Sequence, residues 1–339
     1  MKHVLVVLPF VLFVILAFQL PEPVLFKVPV GWPSPVYDLK TNPLQPAVVH
    51  LGRVLFYDPL LSRNNKISCA SCHSPYNAFA HVDHALSHGV DDRIGRRNAP
   101  AIMNLAWSKS FMHDGAILHL DMQPLFPITH PDEMGEQFDH VLSKMKQDSL
   151  YPLLFKDAFG DTSITGEHVL KAISQFMLTL VSCNARYDSV MRGESVFTAQ
   201  EQRGYSLFKM HCASCHTEPL FTNDEFANTG LLIDTLIKDY GRMSVTKKSD
   251  DSLKFKVPTL RNIEYTFPYM HDGRFKSLFE VLTHYDTGIQ QSATLAAALQ
   301  TPMHLSSNNR VDIMAFLLTL SDRPFLFDKR NGYVAKQRY

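Results

Sequence analysis

The chain has no excess charge of either sign, with 33 Lys and Arg against 33 Asp and Glu in 339 residues. No basic excess points to nucleic acid and no acidic excess points to a highly charged tail. Cysteine is scarce, and four of the five residues fall into two short clusters, so a disulfide scaffold is not the organising device. The fifth, Cys183, follows an apolar helical run and reads as a small buried side chain rather than a catalytic thiol. Disorder is not the theme either: 45% of the residues are hydrophobic, enough to bury a core in each of two ordinary domains at this length.

Cys69-Ala70-Ser71-Cys72-His73 recurs letter for letter as Cys212-Ala213-Ser214-Cys215-His216. This is the C-x-x-C-H signature of covalent haem c attachment. Each cysteine can form a thioether to a haem vinyl group, and the adjacent histidine can turn its imidazole onto the iron as proximal ligand. The competing readings are a redox pair or half a zinc site. Zinc needs four ligands at one place, and these motifs lie 143 residues apart in the chain. Two covalently bound haem c groups are therefore expected.

Met1-Lys2-His3 leads into an apolar run from Val4 to Leu20, broken by Pro9 and Gln19. Residues 1–20 read as an export signal or a retained membrane anchor, and no small-x-small cleavage site precedes Pro21. Either would carry the remainder across the inner membrane, with anchoring to it if the run is kept. Residues 21–46 are proline-rich with little apolar periodicity and read as an extended tether. Leu51 to Asp58 reads as a short helix with Leu51, Leu55 and Phe56 on one face. Residues 74–97 hold His81, His84 and His88 among few helical cues and read as a loop, each histidine a candidate to reach iron. Glu167 to Val181 has the spacing of a core helix. Thr198-Ala199-Gln200-Glu201 is a capping-box pattern opening the helix that delivers the second motif, and Val311 to Leu320 reads as a last buried helix. Pro100-x-x-x-Asn104 followed by His113-Asp114-Gly115 is matched by Pro258-x-x-x-Asn262 and His271-Asp272-Gly273 at a constant offset of 158 residues. A register held that long indicates two copies of one structural unit, each wrapping one haem.

With a histidine on one side of each iron, function turns on what occupies the other. A free position permits peroxide or oxygen chemistry and a filled one favours electron transfer. Glu133 could act as the base that takes a proton from one peroxide oxygen and returns it to the other; read alone, such a residue is more often a surface or capping carboxylate.

Leu51-Gly52-Arg53, Leu55-Phe56, Asp58, the first C-x-x-C-H, Arg97-Asn98-Ala99-Pro100, Gln123 followed ten residues later by Glu133, the second C-x-x-C-H and Tyr269-Met270-His271-Asp272-Gly273 together resemble the bacterial di-haem cytochrome c peroxidase and MauG family, over roughly residues 48 to 322. The resemblance implies a mainly α protein of two cytochrome c-like haem domains related by an internal repeat. Residues 47–188 would be the peroxidatic haem c domain and 189–339 the electron-transfer haem c domain. By position it makes His73 and His216 the proximal ligands, with Gln123, Pro127 and Glu133 forming the distal pocket of the first haem and Glu133 the acid/base. His88 falls one residue short of the spacing at which some peroxidases ligate this iron with a distal histidine. Tyr285 stands where peroxidases place a methionine on the second iron, which agrees with the MauG branch; adjacent His284 is its rival. His113 stands where both branches commonly carry a tryptophan between the haems, and Trp107 is the only tryptophan near it in sequence. Asn98, Thr266 and Pro268 match the positions that hold a calcium ion through oxygen atoms. The implied activity is reduction of hydrogen peroxide to water in the periplasm, with electrons from a small donor such as a cytochrome c or cupredoxin. The alternatives are a MauG-like oxidase that uses peroxide to oxidise a partner protein, and, from another class, a di-haem electron carrier without turnover. Homodimers occur in the peroxidase branch.

Overall fold

The structure, a computed structural model, describes residues 25–339. The leader at 1–20 and the start of the proline-rich segment lie outside the described residues. Among the described residues no helix is long and apolar enough to cross a membrane.

Each half is built on one crossing of two helices. In the first, Pro46–Tyr57 packs on Gly166–Leu178; in the second, Ala199–His211 packs on Ser307–Leu318. Pro46 occupies the first helical position, where its missing N–H costs nothing, so this helix starts earlier than the Leu51 read from periodicity. Leu51, Leu55 and Phe56 are buried as their spacing requires. Thr198 and Glu201 form the capping box, Thr198 Oγ1 accepting from the Glu201 N–H and Glu201 accepting from the Thr198 N–H at 2.7 Å. Both crossings use glycine for close approach. A Cβ on Gly52 would lie 1.9 Å from the Ala172 carbonyl oxygen, and one on Gly204 would lie 1.9 Å from the Asp312 carbonyl oxygen. Beside each crossing a phenylalanine pair closes the contact: Phe56 on Phe176 at 5.2 Å and Phe208 on Phe316 at 5.0 Å between ring centroids.

The repeat extends to single backbone angles. Asn104 and Asn262 both sit at φ 57°, ψ 26°, a left-handed conformation that asparagine tolerates better than most residues. Their N–H groups donate to Leu180 O at 2.8 Å and Leu320 O at 3.0 Å, and their side-chain oxygens accept from Ser182 N and Asp322 N. These bonds tie each haem-side turn to the end of its own core helix.

Two hydrophobic cores result, and they divide the chain differently from the boundaries expected at 188 and 189. Leu180 is the last residue of its stretch in the first core, and Tyr187 already belongs to the second. After Asp322 the chain returns to the first half. Phe325 and Leu326 join the first core, Arg53 Nε donates to Gly332 O at 2.7 Å, Tyr57 donates to Asn331 O at 2.7 Å, and Lys336 pairs with Asp58 and Asp148. The tail therefore belongs physically to the N-terminal half.

Residues 25–45 also correct their reading as a tether. They carry no regular secondary structure, as proline dictates, yet they dock as a strap. Trp107 Nε1 donates to Pro33 O at 2.8 Å, and the Phe26 and Trp32 rings lie 5.6 and 4.9 Å from that of Trp107. Tyr37 is buried and donates to Asp121. Arg261 of the second half, fully buried and paired with Asp188 at 2.8 Å, stacks over Trp32, so the strap bridges both halves. The halves are also joined by Arg97, which holds Asp114 of its own half and Asp239 of the other.

Replacing Gly204 by alanine forces Ala199–His211 away from Ser307–Leu318 and should destabilise the protein by about 1–3 kcal/mol, the usual cost of overpacking a core contact. Denaturant unfolding of the haem-loaded variant measures this, and a change within about 0.5 kcal/mol would contradict the close-approach role.

Candidate active site

The first cysteine pair lies on one helical turn, Cys69–Cys72, whose start is closed by the Ser68 N–H donating to Ser71 Oγ at 3.0 Å. His73 Nδ1 bonds Phe79 O at 2.6 Å, and His216 Nδ1 bonds Phe221 O at 3.1 Å. Phe79 and Phe221 are both left-handed, at φ 59° and 55°, and this turn brings their carbonyls back to the imidazole. A carbonyl can only accept, so Nδ1 carries the proton and Nε2 is the nitrogen left for iron. Burial holds His73 neutral, lowering it to about 4.

Both motifs open into one cavity of about 900 Å³. Its walls include Ile102, Met103, Ile173 and Met177 from the first half and Leu260, Leu282, Ile313 and Leu317 from the second. Burial pushes the Cys69 and Cys212 thiols up to about 12 and Cys72 to about 11. Thiolate chemistry, on which both zinc and redox readings depend, is disfavoured there, whereas an uncharged thioether suits these surroundings. Four thiols, two imidazoles tied at Nδ1 and an apolar cavity spanning both motifs fit two covalently bound haem c groups.

Gln123, Pro127 and Glu133 line the cavity together. Glu133 sits on a tight turn: its N–H donates to His130 O at 3.1 Å, the Met134 N–H donates to Pro127 O at 3.0 Å, and Glu133 O accepts from the Val90 N–H at 2.7 Å. Burial, reinforced by Asp132, raises its carboxyl to about 7, where one group can both take and return a proton near neutrality. His88 lines the same cavity, but its Nδ1 bonds Asp92 at 2.9 Å and its ring packs on His84 at 4.4 Å. The loop behind it is clamped, since a Cβ on Gly89 would lie 2.2 Å from Asp132 O and 2.4 Å from Glu133 O. His81 and His84 do not line the cavity.

On the second motif's side, Leu278–Thr283 runs into one turn of π-helix, His284–Gly288, an insertion that commonly re-aims a side chain at a functional site. Tyr285 lines the cavity, close enough to the Cys212 and Cys215 thiols that they help burial raise its phenol. His284 is turned away and buried, Nε2 bonded to Thr229 O at 2.9 Å.

Between the motifs, His113 Nε2 donates to Asn98 O at 3.1 Å, and the Asn98 N–H donates to His271 O at 2.9 Å. His271, the repeat mate of His113, stacks on Phe255 at 3.7 Å. Asn98 Nδ2 donates to Pro268 O at 2.9 Å, while Asn98 Oδ1 is buried without a hydrogen-bond partner. Turning that amide end for end would set Oδ1 beside the Pro268 carbonyl, an oxygen cluster of the kind a hard cation takes. Thr266 and Pro268 border the same cavity.

Comparison with known proteins gives the family. The model of the di-haem cytochrome c peroxidase family, CCP_MauG, matches residues 46–196, and a cytochrome c model matches residues 201–321. The chain is 38% identical to the methylamine utilization protein MauG of Methylorubrum extorquens, over 88% of this chain and 84% of that one. It is 32% identical to the cytochrome c551 peroxidase of Nitrosomonas europaea, over 86% and 85%. The chain belongs to the di-haem cytochrome c peroxidase and MauG family. A solved MauG-like protein associated with microbial copper homeostasis superposes with a TM-score of 0.82 at 30% identity, over 91% of this chain and 98% of that one. The fold class is thereby that of two cytochrome c-like domains, each carrying haem c.

For a member of this family, sequence reasoning passed over two features of the site. The Arg97 clamp on Asp114 and Asp239 was invisible because Asp239 carries no motif. Met112, whose sulfur accepts from Gln123 Nε2 at 3.9 Å, directly precedes His113-Asp114-Gly115 and was signalled only by its repeat mate Met270.

If Glu133 is the proton carrier, peroxide turnover should rise with pH through about 7 as the carboxyl ionises, and Glu133→Gln should lose about 10²- to 10⁴-fold while keeping both haems. Steady-state kcat/KM against pH for both proteins measures this. A flat profile in the parent, or full turnover in the variant, would remove Glu133 from the role.

Proposed function

We propose that this chain is a di-haem c-type peroxidase that reduces hydrogen peroxide to two waters with two electrons and two protons from outside. The observation that carries the reading is Glu133, a carboxyl raised to about 7 in a cavity it shares with the first C-x-x-C-H motif, Gln123 and Pro127. Bound haem supplies the electron transfer that breaks the peroxide bond. The chain's own residues do the rest. His73 would hold the first haem's iron through Nε2. Glu133 takes the proton from one peroxide oxygen and delivers it to the departing one, and the Gln123 amide orients the pair. Pro127 presents no N–H to compete for peroxide. In this reading the first iron would be left open to peroxide; His88 packs on His84 at 4.4 Å, and its bond to Asp92 uses Nδ1 alone, so it is the one histidine of the 74–97 loop that could compete for that position. A pure electron carrier has no use for such an acid/base.

His216 and Tyr285 are the residues that would hold the second haem's iron, because Tyr285 borders the cavity and His284 spends its Nε2 on Thr229. An anionic phenolate stabilises oxidised iron far better than a neutral thioether does and lowers the potential. That same feature favours a second reading, oxidation of a partner protein with peroxide, and the likeness to MauG proteins accords with it. In the primary reading electrons come from a small cytochrome c or cupredoxin in the periplasm, where an apolar leader at 1–20, cleaved or kept as an anchor, would deliver the chain. Calcium at Asn98, Thr266 and Pro268 would answer the orphaned Asn98 oxygen. A homodimer is compatible with the peroxidase branch.

The two readings separate on Tyr285→Met. Potentiometric titration of the haem-loaded variant should show the second haem's potential rising, with peroxide consumption from a reduced small cytochrome c retained. An unchanged potential would mean that Tyr285 only packs against the haem edge, and parent enzyme that consumes no peroxide with any small donor would leave partner oxidation as the function.

A further inference from the structure

The turn Met112-His113-Asp114-Gly115 and its mate Met270-His271-Asp272-Gly273 are identical in sequence, and both methionines are left-handed, at φ 68° and 70°. They differ in what meets the sulfur. In the first half Gln123 Nε2 points at Met112 Sδ, 3.9 Å away, and both residues line the cavity with Glu133 and Pro127. The backbone on both sides of this contact is anchored, at Met112 by its turn, whose carbonyl accepts from the Gly115 N–H, and at Gln123 by its N–H donating to Leu120 O at 3.0 Å. A soft, oxidisable sulfur is thus fixed at the tip of the amide that orients peroxide.

We infer that Met112 is a modification site, oxidised to its sulfoxide by peroxide bound in this cavity, and that the sulfoxide captures Gln123 and slows turnover. The inference rests on the peroxide reading of the cavity. In the step, the Met112 sulfur attacks one peroxide oxygen, an S–O bond forms and the O–O bond breaks. Sulfur loses two electrons, the attacking-side oxygen gives up its proton to Glu133 or water, and the departing oxygen gains one and leaves as water. No other oxidant or reductant is needed. A thioether is a weak hydrogen-bond acceptor and a sulfoxide oxygen a strong, polar one, so the amide that met sulfur at long range becomes firmly held. The lesion is reversible by methionine sulfoxide reductases, which makes it a brake on a peroxidase that meets peroxide faster than it meets electrons.

Other methionines in the chain provide the internal standard. Met210, Met122 and Met191 are 74%, 48% and 47% exposed, whereas Met103 is 3% exposed with its sulfur accepting from Asn262 Nδ2. Peroxide acting from bulk solvent would oxidise them in order of exposure, ahead of Met112, which is only partly accessible.

The test is peptide mass mapping of the haem-loaded protein after stepwise addition of hydrogen peroxide without donor, with donor-dependent peroxide consumption followed on the same samples. Expected is the gain of one oxygen at Met112 several-fold sooner than at Met210, Met122 or Met191, with a parallel loss of turnover that sulfoxide reductases restore. Met112→Leu should lose the peroxide-dependent decline relative to its own starting rate; should that variant fail to fold, the map on the parent protein still decides. Oxidation in order of exposure, or no oxidation at Met112, overturns the site even when peroxide consumption is normal. Oxidation of Met112 with no decline overturns the brake. Parent protein that consumes no peroxide with a reduced donor counts instead against the peroxidase reading.

Discussion

The fold depends on one constraint, the need to fill an apolar cavity of about 900 Å³ that neither half closes alone. A large planar apolar group bound there would touch the lining side chains of both halves at once, so binding haem and packing the halves together are coupled. The two glycine crossings, Gly52 on Ala172 and Gly204 on Asp312, wall the cavity from opposite sides. The Arg97 clamp, the Trp32 strap and the returning tail hold those walls at a fixed separation. Two histidines whose Nδ1 atoms are tied to carbonyls then aim Nε2 at fixed points inside it.

From one repeated unit the chain makes two unlike sites, and the difference lies in what each half adds opposite its histidine. The first adds a tight turn that sets the partly buried Glu133 in the cavity with Gln123, the group proposed above as proton carrier. The second adds a π-turn that brings in Tyr285 and turns His284 away. In the proposed reading one side breaks the peroxide bond and the other holds charge. His113, where the family commonly has tryptophan, is kept neutral by burial and Arg97, lowered to about 4, and acts as a hydrogen-bond donor that fixes Asn98 rather than as a large aromatic between the haems.

Much of this was legible in the sequence because it is local or repeated. The C-x-x-C-H motifs, the 158-residue register and the Thr198–Glu201 cap each depend on neighbours along the chain. So does the buried face of Leu51, Leu55 and Phe56. What could not be read was contact between distant segments without periodicity. Proline in residues 25–45 does forbid regular structure there, but nothing in its spacing says that Trp32 meets Arg261 or that Trp107 donates to Pro33. The tail looked like part of the second half because it follows the last helix, whereas Phe325 and Arg53 place it on the first. Val311, read as part of a buried helix, is 46% exposed because that helix buries only the stripe containing Asp312, Ile313, Phe316 and Leu317. In the site, Tyr285 and His284 are adjacent in sequence, and only the local π-turn separates the one that borders the cavity from the one that does not.

The central claim is that the first haem is open on the Glu133 side while the second is closed by Tyr285. Low-temperature EPR of the fully oxidised, haem-loaded protein tests it most directly. The account predicts a high-spin ferric signal from the first haem together with a low-spin signal from the second. Two low-spin signals, one turning high-spin only on one-electron reduction, would mean that His88 closes the first iron, and would contradict the account.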